Sequence, residues 1–443
     1  MSSANARVDD APNPIDPSLA EQPGESTVAG FQVLVHQTGR YAIWPGGLIA
    51  PTGWRVALSR RGREECLAFV REHWSTTRAP ATKAEIGFAL MFFGGGEDHS
   101  AIRKYELIVR SARLADARGF QAVWLPERHF NPFGCLYPNP VVLHAALARE
   151  TKHIRLRAGS VVLPLHQALR VAEDWAIVDN LSRGRVEISF APGWSPDDFA
   201  LFPERYHRRY DELYEGLNVV RRLWRGETVR GTNGLGEPIE LRTYPRPIQR
   251  ELPVWITAAQ SDESFRRAGA VGANLLTHLF DQDVDVLADK IGQFRQARRD
   301  HGHDPHGARV AVALHTFVAA SDSEVQAVAL PAYARYLKAN LNMLKSLAVS
   351  RGRQLDLSGL TGRELDEAIQ YLVEKFLADR SLLGTVDSCD ALVRRLAQVG
   401  VSEVACLVDF GPDPEAIESA LENLCRLKER FSRASSDRRE EEG

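Results

Sequence analysis

The run from Gln121 to Phe199 constrains the fold more than any other part of the chain. Apolar, strand-like stretches stop abruptly there in polar or glycine-rich turns, and amphipathic helical patterns follow. Glu127, Arg128 and His129 stand after one such stretch, Ser160 near the end of another, and Ser189, Ala191 and Gly193 at the end of a third. Chemistry-bearing residues at the C-terminal ends of strands are how a βα barrel displays a site. The alternation continues beyond this run. Strands are expected at 86–92, 121–126, 154–163, 185–191, 254–258, 273–278, 310–318 and 402–408, with helices at 101–118, 168–181, 205–225, 261–270 and 385–398. Eight strands separated by helices predict an α/β fold, a (β/α)8 TIM barrel rather than an open sheet. Two stretches exceed a minimal barrel. Residues 227–250 read as a hairpin or long loop, and 345–380 as a helical excursion.

The chain of 443 residues is longer than a barrel of about 250 residues requires. Residues 1–28 and 432–443 are polar and aperiodic and are expected to be disordered tails. Residues 29–80 form a separate small module, joined by the linker RAPATKAE to a barrel at 85–431. In the module, FQVLVH and RYAIWP read as a hairpin around Gln37–Thr38–Gly39, WRVALS as a third strand after the turn Pro51–Thr52–Gly53, and GREECLAFVREHWS as an amphipathic helix. The net charge of −3 gives no reason to expect nucleic-acid binding. No apolar run reaches the ~18 residues of a membrane span. The first residues have no apolar core of a secretory signal, so a cytoplasmic protein is the default expectation. Five scattered cysteines suggest neither a disulfide framework nor zinc.

The segments LPERHF (125–130), NP (139–140), VVLP (161–164), RVAED (170–174), LSRGR (181–185) and DDF (197–199) occur in the order of the luciferase-like flavin monooxygenases. Residues 85–430 resemble that family, most closely a natural-product branch. The resemblance implies a reduced FMN at the barrel mouth, supplied by a separate flavin reductase, reacting with O2 and a substrate. It makes His129 the first catalytic candidate, since an imidazole can pass a proton near neutral pH. For Glu127 and Arg128 two readings stand, a direct catalytic role or an ion pair that orients the loop. Ser160, Val161 and Val162 should end a strand beneath the flavin ring, where the family often has a cis peptide. Ser160 also reads as a strand-end cap. Ser189, Ala191 and Gly193 end the next strand. Pro192 departs from the family there, because proline offers no donor to a phosphate. Trp194 reads as a cover for ring or substrate, or as a packing residue. Thr257, Ala258, Ala259, Ser261 and Ser264 lie where the family receives the FMN phosphate, at a helix N-terminus whose N–H groups favour an anion. Ser261 is equally an ordinary N-cap. Gly94–Gly95–Gly96 lacks the context of a dinucleotide fingerprint and reads as a mouth loop. His166, His278 and His315 fall near strand ends but lack the spacing of a metal motif, and HGHDPHG (301–307) lies in a connection. No metal is expected.

Residues 31–80 resemble the MbtH-like proteins, accessory partners of adenylation domains in nonribosomal peptide synthetases. Tyr41, Trp44, Pro45, Pro51, Gly53, Trp54, Cys66, Leu67 and Trp74 carry the likeness. The family implies that Trp44 and Trp54, with Pro45, frame a cleft for an apolar side chain of the adenylation domain; the alternative is that the tryptophans are core. Ala42 departs from a serine common in the family.

Together these features imply an FMN-dependent monooxygenase of nonribosomal peptide biosynthesis, acting on an amino acid or acyl group that is free or tethered to a carrier protein. The alternatives are a flavin- or F420-dependent dehydrogenase on the same barrel, or an adenylation-domain activator with an inactive barrel. A homodimer is compatible with the family.

Overall fold

The computed structural model describes residues 30–432, except 37–40, 47, 51–53, 77–85, 95–100, 132–133, 260, 281 and 340–361. The expected tails, the linker, the two turns of the small module, Gly95–Gly96 and residues 345–361 lie outside the described residues, as does the Trp74 side chain. The chain divides into two compact units, Met1–Lys83 and Ala84–Gly443.

In the first unit, β1 (Phe31–His36) pairs antiparallel with both β2 (Tyr41–Pro45) and β3 (Trp54–Arg61). The helix α1 (Arg63–Thr76) packs over the three strands and buries Cys66. It starts where Gly62 N–H donates to the Glu65 carboxylate, which satisfies one of the free donors of a helix start. The register sets Trp44 opposite Gln32 and Trp54 opposite His36. Gln32 and His36 are four residues apart on β1, so both tryptophans lie on one face of the sheet. Buried Leu34 stands between them on that face.

The second unit runs β4 (Gly87–Met91), α2 (Ala101–Ala117), β5 (Ala122–Leu125), α3 (Pro140–Glu150), β6 (Arg155–Val162), α4 (Ala168–Ser182), β7 (Val186–Ala191), α5 (Arg209–Arg225), the hairpin β8 (Val229–Thr232) and β9 (Pro238–Leu241), β10 (Val254–Thr257), α6 (Asp262–Ala270), β11 (Asn274–His278), α7 (Val284–Asp300) and β12 (Val310–Ala319). Helices Leu330–Ala339 and Gly362–Asp379, β13 (Leu382–Thr385), helix Val386–Gln398, β14 (Glu403–Leu407) and helix Pro414–Ser432 complete it. Strands β4, β5, β6, β7, β10, β11, β12 and β14 pair in parallel, and the β11–β12 and β14–β4 pairings close the ring. The expected eight-stranded barrel is therefore present.

Two details differ from the sequence reading. The C-terminal half of β12 continues past the ring and pairs with β13, a short strand hidden in the sequence between two helical patterns. The excursion after β12 contains helix Leu330–Ala339, which begins before the 345–380 assigned to it, and helix Gly362–Asp379.

The barrel strands read as nearly continuous apolar runs because both faces are covered. Alternate residues separate into two layers. Leu90, Val123, Leu156, Ile188, Ile256 and Val312 face the helices. Ala89, Trp124, Trp255, Leu276, Ala311 and Ala405 fill the barrel. Each large side chain buried in this way contributes about 1.5–3 kcal/mol.

Near the N-terminal ends of the strands the barrel is plugged by charge. Arg157 Nε donates to Glu187 at 2.8 Å and its Nη1 to Glu403 at 2.7 Å, while Arg309 Nη2 reaches Glu187 at 2.7 Å. The Arg157 guanidinium stacks on both indoles, 4.8 Å from Trp124 and 4.6 Å from Trp255. The indole N–H groups donate to the same two carboxylates. This floor fixes β5, β6, β7, β10 and β14 from below and so sets the positions of their upper ends.

Candidate active site

At the upper end of the barrel three neighbouring strands, β6, β7 and β10, each carry a hydroxyl in their last residues. Thr257 Oγ1 lies 2.6 Å from Ser160 Oγ and 2.8 Å from Ser189 Oγ. Ser160 follows a cis peptide bond from Gly159, at the position where the family resemblance suggested one. A β-carbon on Gly159 would come within 3.0 Å of the Trp124 ring, so the glycine makes room for the packed interior.

Beside this hydroxyl cluster, the loop after β5 brings in a carboxylate and two imidazoles. Glu127 Oε1 accepts from His129 Nε2 at 2.8 Å and from His166 Nε2 at 2.7 Å, and Oε2 accepts from Val162 N–H at 2.8 Å. The Val162 bond ties the loop to the end of β6, two residues beyond Ser160. Burial raises the Glu127 carboxyl, but the bonds from His129, His166 and Val162 outweigh it and hold the group below its ordinary value. Burial disfavours the His166 cation, yet the Glu127 carboxylate overrides this and raises the imidazole above its ordinary value. The chain turns immediately after His129 through Phe130, whose φ of 52° is uncommon for a residue with a β-carbon.

Arg128 points away from this cluster and serves as a pin. Its Nη1 donates to both oxygens of Asp198 at 2.7 and 2.6 Å, and its guanidinium lies 4.7 Å from the centre of the Trp194 ring. Both partners of the ion pair are buried. Burial pushes the Asp198 carboxyl up despite Arg128. The segment after β7 is thereby fastened to the loop after β5. Arg128 thus forms an ion pair that orients the loop, but its partner is Asp198 rather than Glu127, and Trp194 packs against its guanidinium. Glu127, held by Val162 N–H, in turn orients the His129 imidazole.

A further knot joins the first and last barrel strands. Asp409, just beyond β14, accepts from Phe93 N–H and Gly94 N–H at 2.8 Å each and from Tyr137 Oη at 2.7 Å. Burial pushes the Asp409 carboxyl up, and these donors pull against it.

The remaining expected residues take several positions around the mouth. Val161 and Ala258 face the helix layer, so they present only backbone at the mouth. Val162 packs on Leu165 and Phe199. Ala191 and Ala259 are half-buried at strand ends. Gly193 has φ +80°, and a β-carbon there would meet Phe199 and Val162 at 2.8 Å, so local packing demands the glycine. Ser261 is the N-cap of α6 and accepts from Ser264 N–H at 3.1 Å. Asp262 and Glu263 in the first turn are engaged with Gln293 and Arg266. His315 lies among Tyr333, Tyr336 and Phe410, and burial pulls its pKa down to about 3. His278 accepts from Phe280 N–H. Among the described residues no cluster of three or more His, Cys, Asp or Glu could hold a metal ion. No described helix is long and apolar enough to cross a membrane.

Sequence reasoning overlooked the bond of His166 to Glu127, and it gave no role to Tyr137 or Asp409. The signal for Asp409 was available: it follows the last strand just as Glu127 follows the second.

The profile for luciferase-like monooxygenases matches residues 84–403, and that for MbtH-like proteins matches residues 20–86. The oxygenase component of the flavin-dependent trigonelline monooxygenase of Acinetobacter baylyi is 25% identical over 346 residues, covering 76% of this chain and 92% of that protein. The 4-hydroxyprotoasukamycin monooxygenase of Streptomyces nodosus subsp. asukaensis is 27% identical over 327 residues, covering 71% and 84%. The structure of the oxygenating constituent of 3,6-diketocamphane monooxygenase from Pseudomonas putida, in complex with FMN, superposes with a TM-score of 0.60 at 19% identity, covering 78% of this chain and 98% of that one. With its N-terminal MbtH-like domain and a barrel of this kind, the chain belongs to the luciferase-like monooxygenase family.

Proposed function

We propose that the barrel binds reduced FMN and uses it with O2 to oxygenate a substrate of nonribosomal peptide biosynthesis, an amino acid or acyl group carried by a carrier protein, while the MbtH-like domain docks on an adenylation domain. One observation carries the catalytic reading: Glu127 holds the His129 imidazole at the same end of the barrel as the Ser160–Thr257–Ser189 hydroxyls, and Val162 N–H ties the two together.

The donor set fits a flavin. Three adjacent hydroxyls near strand ends suit the polar edge of FMN, and the N–H groups at the start of α6 not taken by the Ser261 cap suit its phosphate, with Glu263 engaged by Arg266 and Asp262 held by Gln293. Ser160, Ser189, Thr257 and Ser264 would hold it, with backbone contributions from Ala258 and Ala259. Bound reduced FMN supplies the electrons by which one oxygen atom of O2 enters the substrate and the other leaves as water. The chain's own part is to orient, to exclude water and to move protons. His129 holds or accepts a proton at the ring nitrogen that Glu127 does not engage. The Arg128–Asp198 pin keeps the surrounding loops closed over it.

For the small domain, the supporting observation is that Trp44 and Trp54 share one sheet face with Leu34 between them, and that Pro45 is exposed beside them. The Trp44 indole N–H is buried without a hydrogen-bond partner among the described residues. Rigid aromatic side chains flanking an apolar strip suit an anchor pocket.

The test combines the protein with FMN, NADH, a flavin reductase and an aminoacylated carrier protein under isotopically labelled O2. The expected result is a product heavier by one labelled oxygen. No flavin binding and no labelled product would refute the catalytic reading. Trp44→Ala should abolish co-purification with an adenylation domain and leave the oxygenation of a supplied substrate intact.

A further inference from the structure

A single carboxylate oxygen serves two imidazoles in this site. Glu127 Oε1 accepts from both His129 Nε2 and His166 Nε2, while Oε2 is taken by Val162 N–H. An ionised carboxylate only accepts, so both Nε2 atoms must carry hydrogen. Neutral His129 is therefore the Nε2–H tautomer, with its lone pair on Nδ1. The two rings come from independent elements. His129 lies in the loop after β5, whereas His166 follows the short turn Leu163–Leu165 after β6. The Glu127 side chain is fully buried, the His129 side chain is 13% exposed and that of His166 is 30% exposed, so His166 is the ring more open to solvent.

We propose that His166 is a positioning residue for His129: by sharing Glu127 Oε1 it divides one negative charge between two rings, and so sets how readily His129 takes a proton at Nδ1. The inference rests on the reading of His129 as the proton-handling residue of the barrel. When His166 is cationic, Glu127 is already neutralised. A proton arriving on His129 then makes a second cation against one anion, and it is held weakly. Without His166 the full carboxylate charge falls to His129, which becomes the stronger base.

The other charges nearby do not overturn this. Asp174 and Arg205 act on His166 with opposite sign. Arg205 is itself engaged with the carbonyls of Pro164 and His166. Arg128 and Asp198, beside His129, neutralise each other. Glu127 is the charge that both rings compete for. The raised pKa of His166 agrees in direction with this arrangement.

The test is a ring-resolved NMR titration of the histidines in the full, flavin-free chain. In the wild-type protein, the His129 and His166 rings should each titrate in two linked steps. In His166→Gln the His129 curve should become a single step, with its midpoint higher by about one pH unit. Independent single-step curves in the wild type, or an unmoved His129 midpoint in the variant, would overturn the proposal. If His166→Gln does not fold, the wild-type curves decide alone. In turnover, the variant should shift the acid limb of kcat/KM to higher pH by the same amount, whereas a purely structural His166 would lower kcat at every pH without moving that limb. Flavin binding measured on the same sample separates the two readings. Linked titration without flavin binding would refute the proposed reaction and support the sharing of Glu127.

Discussion

The floor and the mouth of this barrel both bury charge, but they do so in opposite ways. On the floor, two arginines meet two glutamates, and the two indole N–H groups donate to the same carboxylates. Guanidinium groups keep their charge at any pH a protein meets, so each carboxylate on the floor has a permanent partner. At the mouth, one glutamate meets two imidazoles, the side-chain type suited to gaining and losing a proton under physiological conditions. The comparison teaches that burial alone does not make a charge structural. What matters is whether its partners can lose a proton.

The sharpest way to break the contrast is to make the floor behave like an unmatched charge. Arg157→Ala leaves Glu187 and Glu403 buried without their main partner, and urea denaturation should show a loss of roughly 3–5 kcal/mol. His129→Ala attacks the mouth instead. It should lower kcat by about 10²-fold or more while barely shifting the denaturation midpoint. Parallel losses of stability and rate in both variants would erase the distinction. A smaller effect is expected from Thr257→Val, which removes the hydroxyl between Ser160 and Ser189. Flavin affinity should weaken about tenfold, equivalent to about 1.4 kcal/mol, as read by fluorescence titration.

The smallest expected effect is the pH profile of stability. The lowered pKa of Glu127 makes its contribution present above the unfolded value and lost as pH falls through the folded one. The raised pKa of His166 makes its contribution present below the unfolded value and lost as pH rises through the folded one. The pair should therefore stabilise most between about pH 4.5 and 6.5, by about 1 kcal/mol. Glu127→Gln should flatten that maximum, and a maximum that survives the substitution would place its origin elsewhere.

The barrel strands were legible in the sequence because their apolar runs are long and end sharply. β13 was not, because four residues between two helices carry too little periodicity to be seen. The site was legible to the extent that strand ends are. Ser160, Ser189 and Thr257, each at the end of a recognisable run, come together through their hydroxyls. His129 was read as a candidate by the same rule. The pairing of His166 with Glu127 spans 39 residues and depends on how two strand-end turns fold back, which no local pattern encodes. Val161 and Ala258 turn their side chains to the helix layer, and Gly193 packs against Phe199 and Val162, directions that no local pattern encodes.

Asp409 has a consequence for how the protein comes into being. It grips the backbone just after the first barrel strand from a position just after the last, across more than three hundred residues of chain. A chain still emerging from the ribosome therefore has no finished mouth until its final strand is made, however well the earlier strands have formed. Chains stalled before residue 409 should therefore lack a finished mouth and bind no flavin, as fluorescence titration of ribosome-bound chains would show.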